Sequence, residues 1–580
     1  MDPLLLGVNI GHGQRFAAVE GRGGGPYYSA GVAPDPTAAG PGPSPAEAAA
    51  PPRPRRRRIA VNTAIFSVAT GFSRIAGLVR EILASGYFAT SGAFSAFTIA
   101  FQIPNLLRQL VADYAVSAAF VPVFTELLEQ DRKRDAFRLA STLFFLILAV
   151  LGAITALFVL AAPVVMPLFT GGKFTHELDT LTSGLAQLLF PIVVLLGLNG
   201  LCVGVLNAYD HFTVPGFAAL AWNLVIIALL IALRPVFDGP DQLYAYAIAV
   251  LAGTVVQFLL ALPVLARLGF RLQLRFDWRD PRVAQVLRLL LPVTLALGVI
   301  NFDLVINATL GSLVSDQAPR AIDAAFRIYM LPQGMFSVAL ATVLFPALAR
   351  FAARNDRERM RTAAANGTRQ IFLLLIPAAA ATVVLATPIV RLIYQHGEFG
   401  AHSTDQVSLA LFWFSFSLPL NGVNLLLTRT FFSLQQPWRA TALATVNVVV
   451  NLAVSLALYQ PFGIAGLVIG TVVGNAGMFA GQWVYLGREL QGLEGRRTVA
   501  VTAQVLAASA LLGGVAYGVW AALDAALGRG LGDQVVSVVG ALALGGLAFA
   551  AAVTVMGVPE AHQIRELLTG RLRRGRAGAG

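Results

Sequence analysis

Apolar stretches of about 20 residues follow one another from about Ala60 to about Val558, each closed by a short polar connection. A run of that length crosses about 30 Å of hydrocarbon at about 1.5 Å per residue. The pattern predicts about 14 spans, centred near residues 70, 108, 150, 194, 224, 256, 298, 337, 382, 419, 448, 475, 510 and 545. Each is predicted to be a helix, because a helix satisfies its own backbone groups in lipid.

The polar connections divide into two kinds. Arginines crowd "DRKRDAFR" (131–138), "RLGFRLQLRFDWRDPR" (267–282), "RFAARNDRERMR" (350–361), "GRELQGLEGRR" (487–497) and "RLRRGR" (571–576). The alternate connections, among them "TGGKFTHELD", "FDGPDQ", "QHGEFGAHSTD" and "YQPFG", carry few. By the positive-inside rule this alternation predicts an even span count with both termini in the cytoplasm.

Three words recur in the same order. "AFVPVFTE" (119–126) returns as "VLFPALAR" (343–350), "LFTGGKF" (168–174) as "IYQHGEF" (393–399) and "GTVVQ" (253–257) as "GTVVGN" (470–475), at offsets of roughly 217 to 225 residues. Two related six-span lobes are expected, residues 59–268 and 269–490. Because each holds an even number of spans, the two enter the membrane in the same sense. The last helix pair, 491–558, lies outside the repeat, and a basic tail, 559–580, follows. Residues 1–58 are dominated by Pro, Gly and Ala and show no apolar period, so they are expected to be a disordered cytoplasmic tail. "MDPLLLGVNI" lacks the pattern of a signal peptide, and the run Arg55 to Arg58 before a span reads as a topology anchor rather than a nucleic-acid arm.

Composition agrees with a membrane protein: 57% of residues are hydrophobic, 12% are charged, the formal net charge is +12 and mean hydropathy is +0.71. The single cysteine, Cys202, cannot form an intramolecular disulfide. None of the six histidines has metal-site spacing. "LFTGGKF" is no nucleotide loop, since Phe174 stands where Ser or Thr would hold magnesium.

The informative residues are charges inside apolar runs. Arg74 and Arg80 fall in or near the end of span 1, Arg108 in span 2 and Arg327 near the start of span 8, while Asp113 and Asp303 fall in spans 2 and 7. At about 2.5–3.5 kcal/mol per arginine at mid-membrane, four facing lipid would cost roughly 10–14 kcal/mol. They therefore face a protein interior or a wet cavity, or, for those at span ends, snorkel to an interface. Pairing within a helix is poor: Arg74 and Glu81 lie two turns apart, and Arg108 and Asp113 point roughly 140° apart. A first lobe with excess positive charge suits an anion, and arginine suits phosphate or carboxylate.

"SRIAGLVREILASGYFATSGAFSAFTIAFQIPNLLRQLVADYAVSAAFVPVFTE" (73–126) resembles the N-terminal signature of the MurJ/MviN lipid II flippases, within the multidrug/oligosaccharidyl-lipid/polysaccharide exporter superfamily. The likeness continues through "VLNAYDHFTVPGFA" (205–218), "FRIYMLPQGMFSVALATVLFPAL" (326–348) and "YQHGEF" (394–399). It implies an all-α integral membrane protein of 14 helices, two parallel six-helix lobes around a central cavity, and a C-terminal pair forming a lipid-tail groove. It implies a transporter, not an enzyme, in the bacterial cytoplasmic membrane, flipping the undecaprenyl-diphosphate-linked precursor by alternating access under the membrane potential. Lipid II and membrane lipids are the partners implied, other cell-wall synthesis proteins are further partners to consider, and nucleic acid is not expected.

By motif position, Arg74, Arg80, Arg108 and Arg327 are the residues that the resemblance assigns to the diphosphate. Glu81, Ser95 and Asp113 stand where gating or charge-partner residues are found. Ser95 replaces a usual aspartate, Asp113 a usual glutamate and Glu81 a usual aspartate, and Phe326 precedes Arg327 where aspartate is common. Some negative partners are thus expected to be lost. Sodium is the one cofactor considered, at Asp303, Asn307, Asn447, Asn451 and Thr471; the alternative is a hydrogen-bonded polar patch. Two alternative functions stay open: a flippase for another polyprenyl-diphosphate oligosaccharide, and a cation-coupled multidrug exporter, which would need acidic cavity residues.

Overall fold

All regular structure among the described residues is helical, as a chain that must bond its own backbone in lipid requires. The computed structural model describes residues 53–108, 115–209, 211, 213–274 and 276–561. The first lobe comprises α1 (Arg53–Phe88), α2 (Gly92–Arg108), α3 (Ala115–Glu129), α4 (Lys133–Val165), α5 (His176–Leu189), α6 (Ile192–Ala208), α7 (Thr213–Leu233) and α8 (Gln242–Arg267). The second comprises α9 (Pro281–Val314), α10 (Ala318–Ala353), α11 (Arg357–Val384), α12 (Ala386–Tyr394), α13 (Ala401–Ser433), α14 (Pro437–Phe462) and α15 (Ile464–Glu489). The pair α16 (Gly495–Leu527) and α17 (Leu531–Val555) follows.

Among the described residues, 11 helical stretches are long and apolar enough to cross a membrane, with α5 and α6 together making one of them. Segment α1, the α2–α3 pair and α9 occupy the other three expected positions, so the count of about 14 is consistent with the chain. The expected span centred near residue 108 takes in α2 and α3, each with a proline inside, Pro104 and Pro122, and residues 109–114 between them lie outside the described residues. The expected span centred near residue 382 is divided at Leu385, its first half in α11 and its second in the nine-residue α12.

The helices begin where the sequence supplies caps. Thr175 accepts from the Leu178 amide (3.3 Å) to start α5, and Asp356 accepts from the Arg359 amide (3.0 Å) to start α11. Asp280 does the same for α9 through Arg282 (2.8 Å), with Pro281 in the first turn, where its missing N–H costs nothing. The repeated words fall on matching places: 119–126 in α3 and 343–350 in α10, 168–174 after α4 and 393–399 after α12, 253–257 in α8 and 470–475 in α15.

Residues Arg58–Gly580 form one compact unit. Helix α9 joins the lobes: Val283 and Val286 pack in a first-lobe core with Phe120 and Phe124, whereas Leu310 packs in the second-lobe core. The second lobe also carries α16 and α17, which close over Leu385 with Leu512, Ala516 and Ala541. Outward-facing apolar side chains remain, Leu160 at 80% exposure and Val164 at 75%, as befits a surface solvated by lipid tails.

An ion cluster fastens the final pair. Arg369 of α11 is 1% exposed, and its Nε meets Glu560 Oε1 (2.5 Å) while its second arm meets Glu494 Oε2 (2.9 Å). Glu560 follows α17 and Glu494 precedes α16, so one guanidinium ties three separate segments together. Removing one partner strands a buried charge at a cost of about 3–5 kcal/mol. Arg369→Ala is expected to lower the thermal unfolding midpoint in detergent markedly, and Arg369→Met with Glu560→Leu to recover most of it.

Candidate functional site

Helix α10 presents Arg320, Asp323 and Arg327 at i, i+3 and i+7, one face of the helix. That face meets α1 of the other lobe. Arg320, 1% exposed, donates to Glu81 Oε1 (2.5 Å), to Ser85 Oγ (2.7 Å) and to Asp323 Oδ2 (2.9 Å), and its guanidinium stacks 4.0 Å from the Phe94 ring. Arg327 Nε donates to Asp323 Oδ2 (2.9 Å) and lies 3.2 Å from Glu81 Oε1. Two carboxylates thus hold two guanidiniums where the lobes join, a neutral set that tolerates desolvation far better than its members alone.

Arg80 is the positive charge left over. Its guanidinium lies over the Trp222 ring (4.7 Å), and its Nε is buried with no hydrogen-bond partner among the described residues. Arg80 and Arg327 line one cavity of about 520 Å³ in the first lobe, beside Ser73, Asn105, Asn199 and Asn223. A second cavity, also of about 520 Å³, opens in the second lobe, and the two share Phe101, Asn105 and Arg327 in their walls.

The other sequence-predicted residues are placed as follows. Arg74 is exposed on α1 and is not part of either wall. Arg108 ends α2, but its side chain, all of Asp113 and the side chain of Asp303 lie outside the described residues. Ser95 Oγ accepts from the Arg320 backbone amide (3.3 Å), so a hydroxyl from α2 caps an amide in the first turn of α10 across the lobe boundary. Glu81 Oε1 meets both Arg320 and Arg327.

The expectation that negative partners are lost therefore needs correction. The carboxylate absent at Phe326 is supplied by Asp323, one turn before Arg327, and Glu81 finds its partners on the opposite lobe rather than in its own helix. Arg320 and Asp323 were missed in the sequence, although "RAIDAAFR" displays their helical spacing.

The residues considered for sodium gather in the second lobe. Asn307 donates to Thr471 Oγ1 (3.4 Å), Asn447 to Asn475 Oδ1 (3.4 Å), and Asn451 Oδ1 accepts from Ser455 (3.0 Å). The described donors there are neutral amide and hydroxyl oxygens, chemically compatible with a hard monovalent cation. Among the described residues no group of three His, Cys, Asp or Glu is placed to hold a metal.

On the arginine-poor side the lobes are stitched together. Thr90 bonds Ser403 (2.7 Å) and Gln406 (3.3 Å), the Gly171 amide donates to Ser312 (2.7 Å), and the Glu398 amide donates to the Gly86 carbonyl (2.8 Å). Gly397 has φ +61°, and a Cβ there would collide with the Gly86 carbonyl. Only glycine meets both conditions.

The sequence model of the family described as "Lipid II flippase MurJ" matches residues 84–530. The chain belongs to this family. A MurJ relative from Burkholderia cenocepacia, named as a lipid II flippase, is 32% identical over 70% of this chain and 79% of its own. A probable MurJ from Vibrio cholerae is 27% identical over 86% and 97%. A solved MurJ in an inward closed conformation shares the fold, with TM-score 0.71 at 20% identity over 85% of this chain and 98% of that one. An inward-facing multidrug transporter of the MATE family shares it more distantly, with TM-score 0.61 at 17% identity over 73% and 96%. The expected membership and the all-helical multi-pass fold are therefore established, and the chain is a transporter rather than an enzyme.

The MurJ signature word "YQHGEF" has a structural explanation in the Gly397 contact. Gly397→Ala is expected to open the arginine-poor seal, raising the labelling rate of a cysteine placed at Thr90 by a membrane-impermeant reagent. Arg320→Met is expected to destabilise by about 3 kcal/mol, since Glu81 then keeps one arginine instead of two. Adding Glu81→Gln should recover part of that loss in a thermal-melt cycle.

Proposed function

We propose that the chain moves lipid II, an undecaprenyl-diphosphate-linked sugar-peptide, from the inner to the outer leaflet of the bacterial cytoplasmic membrane by alternating access. The observation that carries this reading is the shared wall of Arg80 and Arg327, one with an unpaired buried nitrogen and one held only by exchangeable carboxylates. A diphosphate offers several acceptor oxygens to two planar forks, the geometry in which arginine binds most strongly.

The stitched arginine-poor side corresponds to the outside and the open cavities to the cytoplasm, where the arginine-rich connections and both termini belong. The head group enters from that side, past exposed Arg74 and with Arg108 at the end of α2. Its phosphates compete with Glu81 and Asp323 for Arg327, which loosens the cross-lobe ion pairs, while the lipid tail remains in the bilayer beside α16 and α17. An inside-negative potential favours outward movement of negative charge by about 2.3 kcal/mol per charge per 100 mV. Sodium bound by Asp303, Asn307, Asn447, Asn451 and Thr471 is the coupling ion of this reading.

Another polyprenyl-diphosphate oligosaccharide would use the same arginines and remains the alternative substrate. A cationic drug is disfavoured, because Glu81 and Asp323, the carboxylates placed at the cavities, are already neutralised by arginines.

In bacteria whose own lipid II flippase is shut off, the wild-type chain should restore externally accessible lipid II. Arg80→Ala and Arg327→Ala should each reduce it by about tenfold or more, as expected for one lost charge-assisted hydrogen bond to phosphate. Full rescue by both variants would remove the arginines from the substrate site. Rescue of another lipid-linked oligosaccharide pathway, but not this one, would change the substrate. Replacing sodium by choline in vesicle assays should slow the wild type, and Asp303→Asn should abolish that sodium response.

A further inference from the structure

We propose that the second-lobe cavity is the subsite for the uncharged sugar portion of the head group, recognised through its hydroxyl and amide groups, with Asn424 as a central contact. The proposal rests on the reading of Arg80 and Arg327 as the diphosphate site and extends it to the neutral part of the same ligand.

The chemistry of the two cavities differs. In the first lobe the wall carries Arg80, whose buried Nε has no hydrogen-bond partner among the described residues. Among the described residues, the charged groups lining the second-lobe cavity are Arg327 and Asp323, which are paired to each other (2.9 Å). The remaining polar lining is neutral: the amides Gln102, Gln333, Asn421, Asn424 and Asn475 with Thr428 form the sugar wall, beside Asn447 and Thr471 of the sodium reading. A neutral amide wall presents both donors and acceptors, the complement of a polyhydroxylated, N-acylated sugar and a poor one for a second phosphate.

These amides are fixed in place. Asn424 Nδ2 donates to the Asn475 carbonyl (3.0 Å) and Oδ1 (3.4 Å), Asn447 donates to the same Oδ1 (3.4 Å), and Asn421 donates to the Tyr329 hydroxyl (3.0 Å). Gly474 permits this arrangement, since a Cβ there would strike Asn447. Asn424 is 3% exposed, yet its Oδ1 has no hydrogen-bond partner among the described residues. A buried acceptor left open beside a cavity is an uncompensated cost unless a ligand donor reaches it. Phe101, Phe326 and Met330 supply apolar surface for the C–H faces of a sugar ring. The shared wall at Phe101, Asn105 and Arg327 lets one ligand occupy both cavities, phosphates against the arginines and sugar against the amides.

The test uses the full chain in lipid nanodiscs and two probes, lipid II and sugar-free undecaprenyl diphosphate. Asn424→Leu, close in volume, is expected to weaken lipid II binding about tenfold while leaving undecaprenyl diphosphate within about twofold. Gln333→Ala, half-buried on the same wall, guards against a folding artefact and should act in the same direction. Arg80→Ala should weaken both probes. If both amide variants change the two probes equally, or change neither, the subsite is wrong. If the selective loss vanishes when sodium is withdrawn, the amides serve a cation and the subsite is again wrong. If Arg80→Ala leaves both probes unaffected while Asn424→Leu keeps its selectivity, the sugar subsite stands and the diphosphate assignment falls.

Discussion

Charge taken out of water must find a partner, and in this chain that requirement is met between lobes rather than within them. Glu81 on α1 is shared by Arg320 and Arg327 of α10, and Asp323 serves the same two arginines. Desolvation makes each of these groups expensive alone and tolerable together. The two lobes are consequently held by a set of bonds that is strong when complete and weak when one member is diverted. The hydrogen bonds of Thr90, Gly86 and Gly171 on the arginine-poor side depend on the lobes being held at that spacing. Arg80, stacked on Trp222, sits just outside the neutral set and gives the cavity its unbalanced positive charge.

In the mechanism we propose, this arrangement links binding to movement without a separate trigger. An anion strong enough to take Arg327 from its carboxylates removes part of what holds the lobes closed on the far side. Diverting Arg327 leaves Glu81 and Asp323 paired with Arg320, so the junction loosens without stranding a buried charge. Helix α9 packs into both lobes' cores, and the Arg369 cluster ties the segments before α16 and after α17 to α11 of the second lobe.

Much of the scaffold was legible because the membrane imposes its own grammar. Apolar runs marked the spans, arginine-rich connections marked their alternation, and recurring words marked the repeat. Short α12 lay below the length that reads as a span. In the site, Arg80 and Arg327 stood out as charges in the wrong solvent. Their environment did not, because Glu81 and Arg320 are 239 residues apart and nothing local pairs them. Ser95 looked like a missing carboxylate and instead serves as a hydroxyl acceptor for a helix amide. Asp323 is readable from the i, i+3, i+7 spacing of Arg320, Asp323 and Arg327 on one helix face.

The claim that an anion opens the outer seal by taking Arg327 from Glu81 and Asp323 can be measured as a distance. Spin labels at exposed Lys173 and His402 report on the first and second lobes at the arginine-poor side, and the native Cys202 is buried. Pulsed resonance in nanodiscs should show the separation lengthening as lipid II is added, with no change in Arg327→Gln. A separation that stays constant at saturating lipid II, or that lengthens equally in Arg327→Gln, would contradict the account.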